Sequence, residues 1–354
     1  MASRMDGGRF RGAGGPDEID VIGIGNAMVD VLSYESDEFL EAHDLVKGTM
    51  HLVDEGRARQ LYEAMGPGTE ISGGSAANTI VGVASFGGRG HYIGKVAGDQ
   101  LGDVFGHDLR STGVGYDTPP AVTGAPTGRC LIVITPDAQR TMSTFLGASV
   151  RLNARDIDER LIARGRILYL EGYLFDPPEA QEAFLVAAAM AHAAGRKVSL
   201  TLSDPFCVDR HRRAFLDLVR HHVDILFANE AEICSLYETG DFDTALQRAR
   251  ADCEVAALTR SERGSVVVGG DEVHVIDAYP VESVIDTTGA GDLYASGFLF
   301  GWSRGADLAS CGRLGALAAA EVISHVGARP AVSLARLAAA ALEPSSEESH
   351  EPGR

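Results

Sequence analysis

The chain has 354 residues, a formal net charge of −19 and a hydrophobic content of 45% with only 6% aromatic. That length buries a full core, in one large domain or a domain with an appendage. The negative charge excludes a nucleic-acid or anionic-membrane binder, since both need a basic face, and any functional positive charge must be local.

Residues 1–18 are rich in Gly and Arg and lack the apolar core of a secretory signal, so they read as a disordered leader. The apolar run 19–23 ends in Gly and predicts a buried strand feeding a loop. That loop, Gly23-Ile24-Gly25-Asn26-Ala27-Met28, lacks the third small residue of a dinucleotide fingerprint because Met28 stands there. This argues against a nicotinamide-dependent oxidoreductase. Asp30, just beyond, suits either a substrate's hydroxyls or an ordinary surface turn. Residues 31–53 have no long helical periodicity and read as a β-rich excursion.

Ser72-Gly73-Gly74-Ser75-Ala76-Ala77-Asn78 opens onto a helix expected at 76–86. Its glycines let a ligand approach the backbone, and Ser75 and Asn78 can bond to hydroxyls, although Ser75 alone reads as an N-cap. A strand at 91–93 follows, and Gly94-Lys95-Val96 fails the P-loop pattern. Residues 120–147, containing the apolar stretch 130–134, are a second β-rich excursion. The two excursions are expected to pair into a small lid.

Strands expected at 167–170, 198–202, 225–228, 255–259 and 265–268 alternate with helices at 178–194, 212–219, 231–237 and 244–251. Such alternation indicates a parallel sheet with helices on both faces. Ligands then bind outside the carboxyl ends of the strands, and the loops after 23, 202, 228 and 259 share that rim. Asn229 and Glu232 on the rim can organise Mg²⁺ through water, or serve as the polar first turn of a helix. Thr259, Arg260 and Gly264 can meet phosphates or form a plain turn. His211, His221 and His222 lie on a basic helix without metal-ligand spacing. Five scattered cysteines without a CxxC pair fit free thiols in a reducing cytosol, and no apolar run reaches membrane-span length. A cytoplasmic protein is expected.

The densest chemistry is Asp286-Thr287-Thr288-Gly289-Ala290-Gly291-Asp292, ahead of a helix expected at 293–302. A helix N-terminus presents unpaired N–H groups and the positive end of its dipole, which together hold phosphate. Asp292 at its mouth can take a proton from an attacking hydroxyl. A lone Gly-Ala-Gly-Asp is more often a capped loop, but two Thr, two Gly and two Asp in seven residues point to phosphoryl transfer to an alcohol. Such a site needs a cover, because water would otherwise accept the phosphoryl group. A core helix over 314–326 and a polar disordered tail over 343–354 complete the chain.

Taken in order, the Gly-Gly element at 73–78, Asn229-x-x-Glu232 and the stretch 286–292 resemble the ribokinase-like (pfkB) carbohydrate and nucleoside kinase family, over about 19–330. The resemblance implies a three-layer α/β/α domain over 19–335, with a mainly parallel central sheet and a β-rich lid. Residues 25–30, 126–130 with Arg140, 202–206 and 223–230 are most similar to its adenosine-phosphorylating members. That likeness implies transfer from ATP to the adenosine 5′-hydroxyl, with inosine, guanosine, ribose or another sugar as alternatives. Asp292 would be the base, with Gly289, Ala290 and Gly291 forming the anion hole. Asn26, Asp30, Gly74, Ser75 and Asn78 would hold the ribose, Tyr173 and Phe206 would border the base, and Arg140 would arrive with the lid. Asn229, Thr259, Arg260, Gly264 and Thr288 would face ATP, and Glu232 would hold Mg²⁺ through water. K⁺ near the loop after Asp286, and a monomer or homodimer, are both compatible. Asp204, Ala27 and Tyr173 depart from the pattern, and Asp204 near the base pocket bears on purine preference.

Overall fold

The computed structural model describes residues 15, 17–137 and 139–342. The tail expected at 343–354, and the leader except Gly15, Asp17 and Glu18, lie outside the described residues. Glu18 is already tied to the domain through ion pairs with Arg166 at 3.0 Å and Arg196 at 2.9 Å.

The chain runs along β1 (Ile19–Ile24), then leaves through β2 (Met28–Tyr34), α1 (Asp37–Ala42), β3 (Met50–Leu52), α2 (Glu55–Ala64) and β4 (Thr69–Gly73). It returns through α3 (Ser75–Ser85), β5 (Gly90–Ile93), α4 (Gln100–Ser111) and β6 (Gly115–Tyr116). A hairpin follows, β7 (Gly128–Ile134) with β8 (Arg140–Phe145). Strand and helix then alternate through α5 (Glu159–Arg164), β9 (Gly165–Glu171), α6 (Pro178–Ala193), β10 (Lys197–Thr201), α7 (Pro205–His222), β11 (Ile225–Asn229), α8 (Glu230–Leu236), α9 (Phe242–Asp252) and β12 (Val255–Thr259). Last come β13 (Ser265–Gly269), β14 (Glu272–Ile276), α10 (Ala290–Ser303), α11 (Leu308–Val322) and α12 (Leu334–Leu342).

The main sheet has the order β14-β13-β12-β11-β10-β9-β1-β5-β6. Pairings from β12 to β6 are parallel, while β13 and β14 join antiparallel at one edge. Alternate side chains enter opposite cores. Val21, Ile167, Tyr169 and Phe227 pack with Ile80 of α3 and Phe298 of α10. Ile22, Leu168, Leu170 and Leu226 pack with Phe184 of α6 and Phe215 of α7. Burial on both faces is why these strands read as continuous apolar runs, and the result is the expected three-layer α/β/α arrangement.

The small sheet has the order β3-β8-β7-β2-β4. It thus uses a third segment, 69–73, besides the two expected excursions, and its first excursion includes α1. β4 reads Thr-Glu-Ile-Ser-Gly, too polar to announce a strand. Its antiparallel pairing with β2 sets Gly73 opposite Met28 and hands the chain straight to α3.

Other boundaries moved for local reasons. α7 starts at Pro205 rather than 212 because Asp204 caps it, accepting from the Cys207 N–H at 2.7 Å, and proline suits a first turn. The stretch read as its start, near 212, lies beside a bend at His211. α11 begins at Leu308 under an Asp307 cap rather than at 314. α4 shows apolar Leu101, Phe105 and Leu109, but Gly102 and Gly106 lower its intrinsic helicity and masked it. α12 extends past the boundary expected at 335, adding Leu334, Leu337 and Ala338 to a cluster with Leu293 and Ala290 at the start of α10.

Candidate active site

The first turns of α3 and α10 meet at the carboxyl end of the main sheet, beside the small sheet. α10 begins after Gly289, which adopts φ +79°, and no side chain caps this terminus. A Cβ at Gly289 would lie 2.8 Å from the Ala328 backbone, so only glycine fits there. The Thr288 N–H donates to Asp286 Oδ1 at 3.0 Å and the Ala290 N–H to the Thr287 carbonyl at 3.2 Å. Among the described residues the N–H groups of Gly289, Gly291 and Asp292 carry no such bond. Of the three N–H groups expected in the anion hole, that of Ala290 is already bonded to Thr287, which leaves Gly289 and Gly291, and a Cβ at Gly291 would meet only open space.

Asp292 sits in that first turn. Its Oδ1 accepts from Ser75 Oγ at 2.6 Å and its Oδ2 from Asn78 Nδ2 at 3.0 Å. Ser75 is not the cap of α3; Gly74 at φ +103° is. Burial pushes the Asp292 carboxyl up to about 6, against the pull of Ser75 and Asn78. Asp30, in the middle of β2, is also raised to about 6 by burial, with Arg329 and Arg140 drawing it down and Asp292 pushing it up. A Cβ on Gly73 would fall within 2.5 Å of the Asp30 carboxylate, so this glycine makes room for it.

Arg140 reaches from β8 to Asp286, with Nη1 at 2.9 Å from Oδ2. Asp286 also accepts from Thr288 Oγ1 at 2.7 Å and the Gly327 N–H at 2.9 Å. Arg140 Nη2 is buried without a partner. One residue thus joins the small sheet to the loop that shapes the cradle.

The residues compared with known proteins place this arrangement in a family. Residues 52–334 match the pfkB family carbohydrate kinase profile. The chain belongs to the pfkB family of carbohydrate kinases. It is a phosphotransferase with an alcohol group as acceptor and ATP as co-substrate, of the adenosine kinase-like or sugar kinase type. The solved adenosine kinase of Sinorhizobium meliloti is similar at 52% identity and a TM-score of 0.85, over 92% of this chain and 99% of that one. A probable sugar kinase of Rhizobium etli is similar at 50% identity and the same TM-score of 0.85, over 92% of this chain and 98% of that one. The adenosine kinase of Saccharomyces cerevisiae is 27% identical over 86% of this chain and 94% of its own length.

In this kinase three of the expected nucleotide residues, Asn229, Thr259 and Arg260, lie at the ends of β11 and β12, where Asn229 pairs with Thr259, while Thr288 sits in the loop before α10, bonded to Asp286. Arg260 stacks over Phe242 at 4.0 Å and pairs with Glu230 at 3.3 Å, while Gly264 turns at φ +75°. Asn229 and Glu232 form a reciprocal capping box on α8, with the Glu232 carboxylate accepting from the Asn229 N–H at 2.9 Å and from Nδ2 at 2.6 Å. The helix-turn reading is thus true of both. Burial raises Glu232 to about 7, and the negative charges of Asp204 and Asp292 add to the rise. No group of three or more His, Cys, Asp or Glu among the described residues could hold a metal directly.

Tyr173 is 37% exposed and Phe206 75%, so both rings face open space. Asn26 points inward. Its N–H and Nδ2 donate to Glu171 at 3.1 and 2.9 Å, and its Oδ1 accepts from Ser149 at 2.8 Å. Glu171 is a residue the sequence reading missed. It ends β9, accepts the Ala76 N–H at 2.7 Å, and is raised to about 7 by burial. A carboxylate at the end of an apolar strand run on the ligand rim was the available signal. Arg329, also missed, follows α11 and had no signal in its surroundings.

Proposed function

We propose that this kinase transfers the γ-phosphoryl group of ATP to the 5′-hydroxyl of adenosine, giving AMP and ADP. The observation that carries the reading is Asp292, a part-buried carboxylate with both oxygens oriented by Ser75 and Asn78 at an uncapped helix N-terminus. The acceptor oxygen attacks the γ-phosphorus, the bond to the β,γ-bridging oxygen breaks, and the hydroxyl proton passes to Asp292. A carboxyl held near 6 is ionised at neutral pH yet more basic than an exposed one, which suits a general base. The N–H groups of Gly289 and Gly291 face the charge that develops on the transferring group.

Asp30, Gly74, Ser75 and Asn78 hold the ribose in this reading, while Asn26, expected among them, is turned inward to Glu171 and Ser149 and supports the loop instead. Tyr173 and Phe206 border the base, since flat aromatic faces suit a purine better than a sugar. Asn229, Thr259, Arg260, Gly264 and Thr288 serve the nucleotide side. Glu232 with Asn229 would hold Mg²⁺ through water, and when bound the ion would supply charge neutralisation for the nucleotide phosphates. Arg140, with Nη1 on Asp286 and Nη2 unpaired, brings positive charge from the small sheet to the site. The Asp286 carboxylate is already matched by Arg140, which argues against a need for K⁺ at that group.

The test is ADP release with ATP and Mg²⁺, comparing adenosine, inosine, guanosine and ribose. Preference for adenosine is expected. A second reading, a sugar kinase, is favoured by the similarity to the Rhizobium etli protein. Preference for ribose or another sugar would establish it and overturn the base-pocket assignment.

A further inference from the structure

Arg329 lies between three elements of the acceptor side. Its Nη1 pairs with Asp108 Oδ2 of α4 at 3.0 Å, and its Nη2 donates to Ser72 Oγ of β4 at 2.7 Å. Its Nε reaches Asn78 Oδ1 of α3 at 3.4 Å. The Ser72 N–H also donates to Asp108 at 2.8 Å, so the guanidinium is anchored in a closed ring of bonds. The titratable groups whose charge acts on it are Asp108, Asp30 and Tyr92. Only 16% of the side chain is exposed.

An asparagine amide has one accepting and one donating end, and a guanidinium offers donors alone. Arg329 therefore claims Asn78 Oδ1, which leaves Nδ2 for Asp292. With Arg329 absent, only the bond to Asp292 holds the amide, and its rotamer is less firmly fixed. We propose that Arg329 is a positioning residue of the acceptor site, locking the Asn78 amide so that it donates to Asp292. This rests on the reading of Asp292 as the base.

The experiment compares Arg329→Gln and Arg329→Lys, each alone and combined with Asn78→Ala, by steady-state kinetics in adenosine and in ATP. Lysine keeps the charge but lacks the fork that joins Asp108, Ser72 and Asn78. Both variants are expected to lose kcat with adenosine, the Lys form by roughly tenfold, with KM for ATP within about twofold. In the Asn78→Ala background the Lys change should cost less than about twofold, because the two residues act as one chain. If the Gln form does not fold, the Lys form carries the test. Equal losses in the presence and absence of Asn78, or a Lys form with unchanged kcat, would overturn the proposal. So would a fall in kcat matched by an equal fall in the folded, ATP-binding fraction, the signature of a purely structural role. Asp292→Asn assayed in parallel separates the two readings. If it retains turnover, the base assignment fails, while the Arg329–Asn78 coupling is still read from the double variants.

Discussion

Asp292 and Ser75 are 217 residues apart in the chain and joined by a 2.6 Å hydrogen bond. That bond brings the first turn of α3 against the first turn of α10, so the amino ends of two helices converge on one carboxylate. Asn78, one turn further along α3, closes the other oxygen at 3.0 Å.

Removing the charge of Asp292 separates catalysis from folding. Asp292→Asn should lower kcat by at least about 10²–10⁴-fold, measured by ADP release, with ATP binding retained. A folded-state value above that of the unfolded chain means the ionised carboxylate opposes folding above about 6 and is neutral in its effect below about 4. The Asn form should therefore melt higher than the parent at pH 8 and lose this advantage at pH 4. A variant keeping most of its kcat would remove Asp292 as the base.

Acid should switch the enzyme off through the same group. Asp292 must be ionised to take the proton, and it is held near 6, so kcat/KM for the nucleoside should fall as pH drops through about 6. Asp30 titrates in the same range, which should make the acid limb steeper than one proton allows. A limb lying near pH 4 would mean that neither carboxylate is perturbed in the working complex.

The two glycines of the cradle should fail in different ways. Gly289→Ala meets both a left-handed φ and the Ala328 backbone at 2.8 Å, so it should lower the melting temperature and turnover together. At Gly291 an added methyl meets nothing within 4 Å, and alanine favours the helix. Gly291→Ala should melt no lower than the parent while turnover falls, because the methyl enters the space of the transferring group. Full activity in Gly291→Ala would show that the phosphoryl group lies elsewhere.

Glu171 is an anchor rather than a reactant. Its carboxylate accepts three N–H groups, from Asn26 backbone, Asn26 amide and Ala76. Glutamine in its place turns one acceptor into a donor against those donors, leaving a buried group unpaired at roughly 1–3 kcal/mol. Glu171→Gln should melt lower and raise KM for the nucleoside more than KM for ATP. An unchanged melting curve would show that the junction of β1, β9 and α3 is held by other contacts.

Much of the architecture was legible locally. Strands buried on both faces have to be apolar throughout, so β1, β9, β10, β11 and β12 announced themselves, and the loops after them marked the ligand rim. Asp286 to Asp292 was equally legible, because tight turning, exposed N–H groups and a carboxylate are properties of neighbouring residues. β4 and α4 were not. Their polar or glycine-interrupted sequences take their form from partners, β2 for one and the core residues around Phe105 for the other.

The sequence by itself determined the family and the cradle, since both depend on short segments read in order. Only the tertiary structure decided which groups act on the carboxylate. Ser75 could have been a cap, Glu171 an ordinary strand end and Arg329 an exposed loop charge. Their roles come from contacts spanning as many as 257 residues, as between Arg329 and Ser72. Hydrogen bonds and desolvation act through space, and only packing of the two helix ends against the small sheet brings those groups within reach.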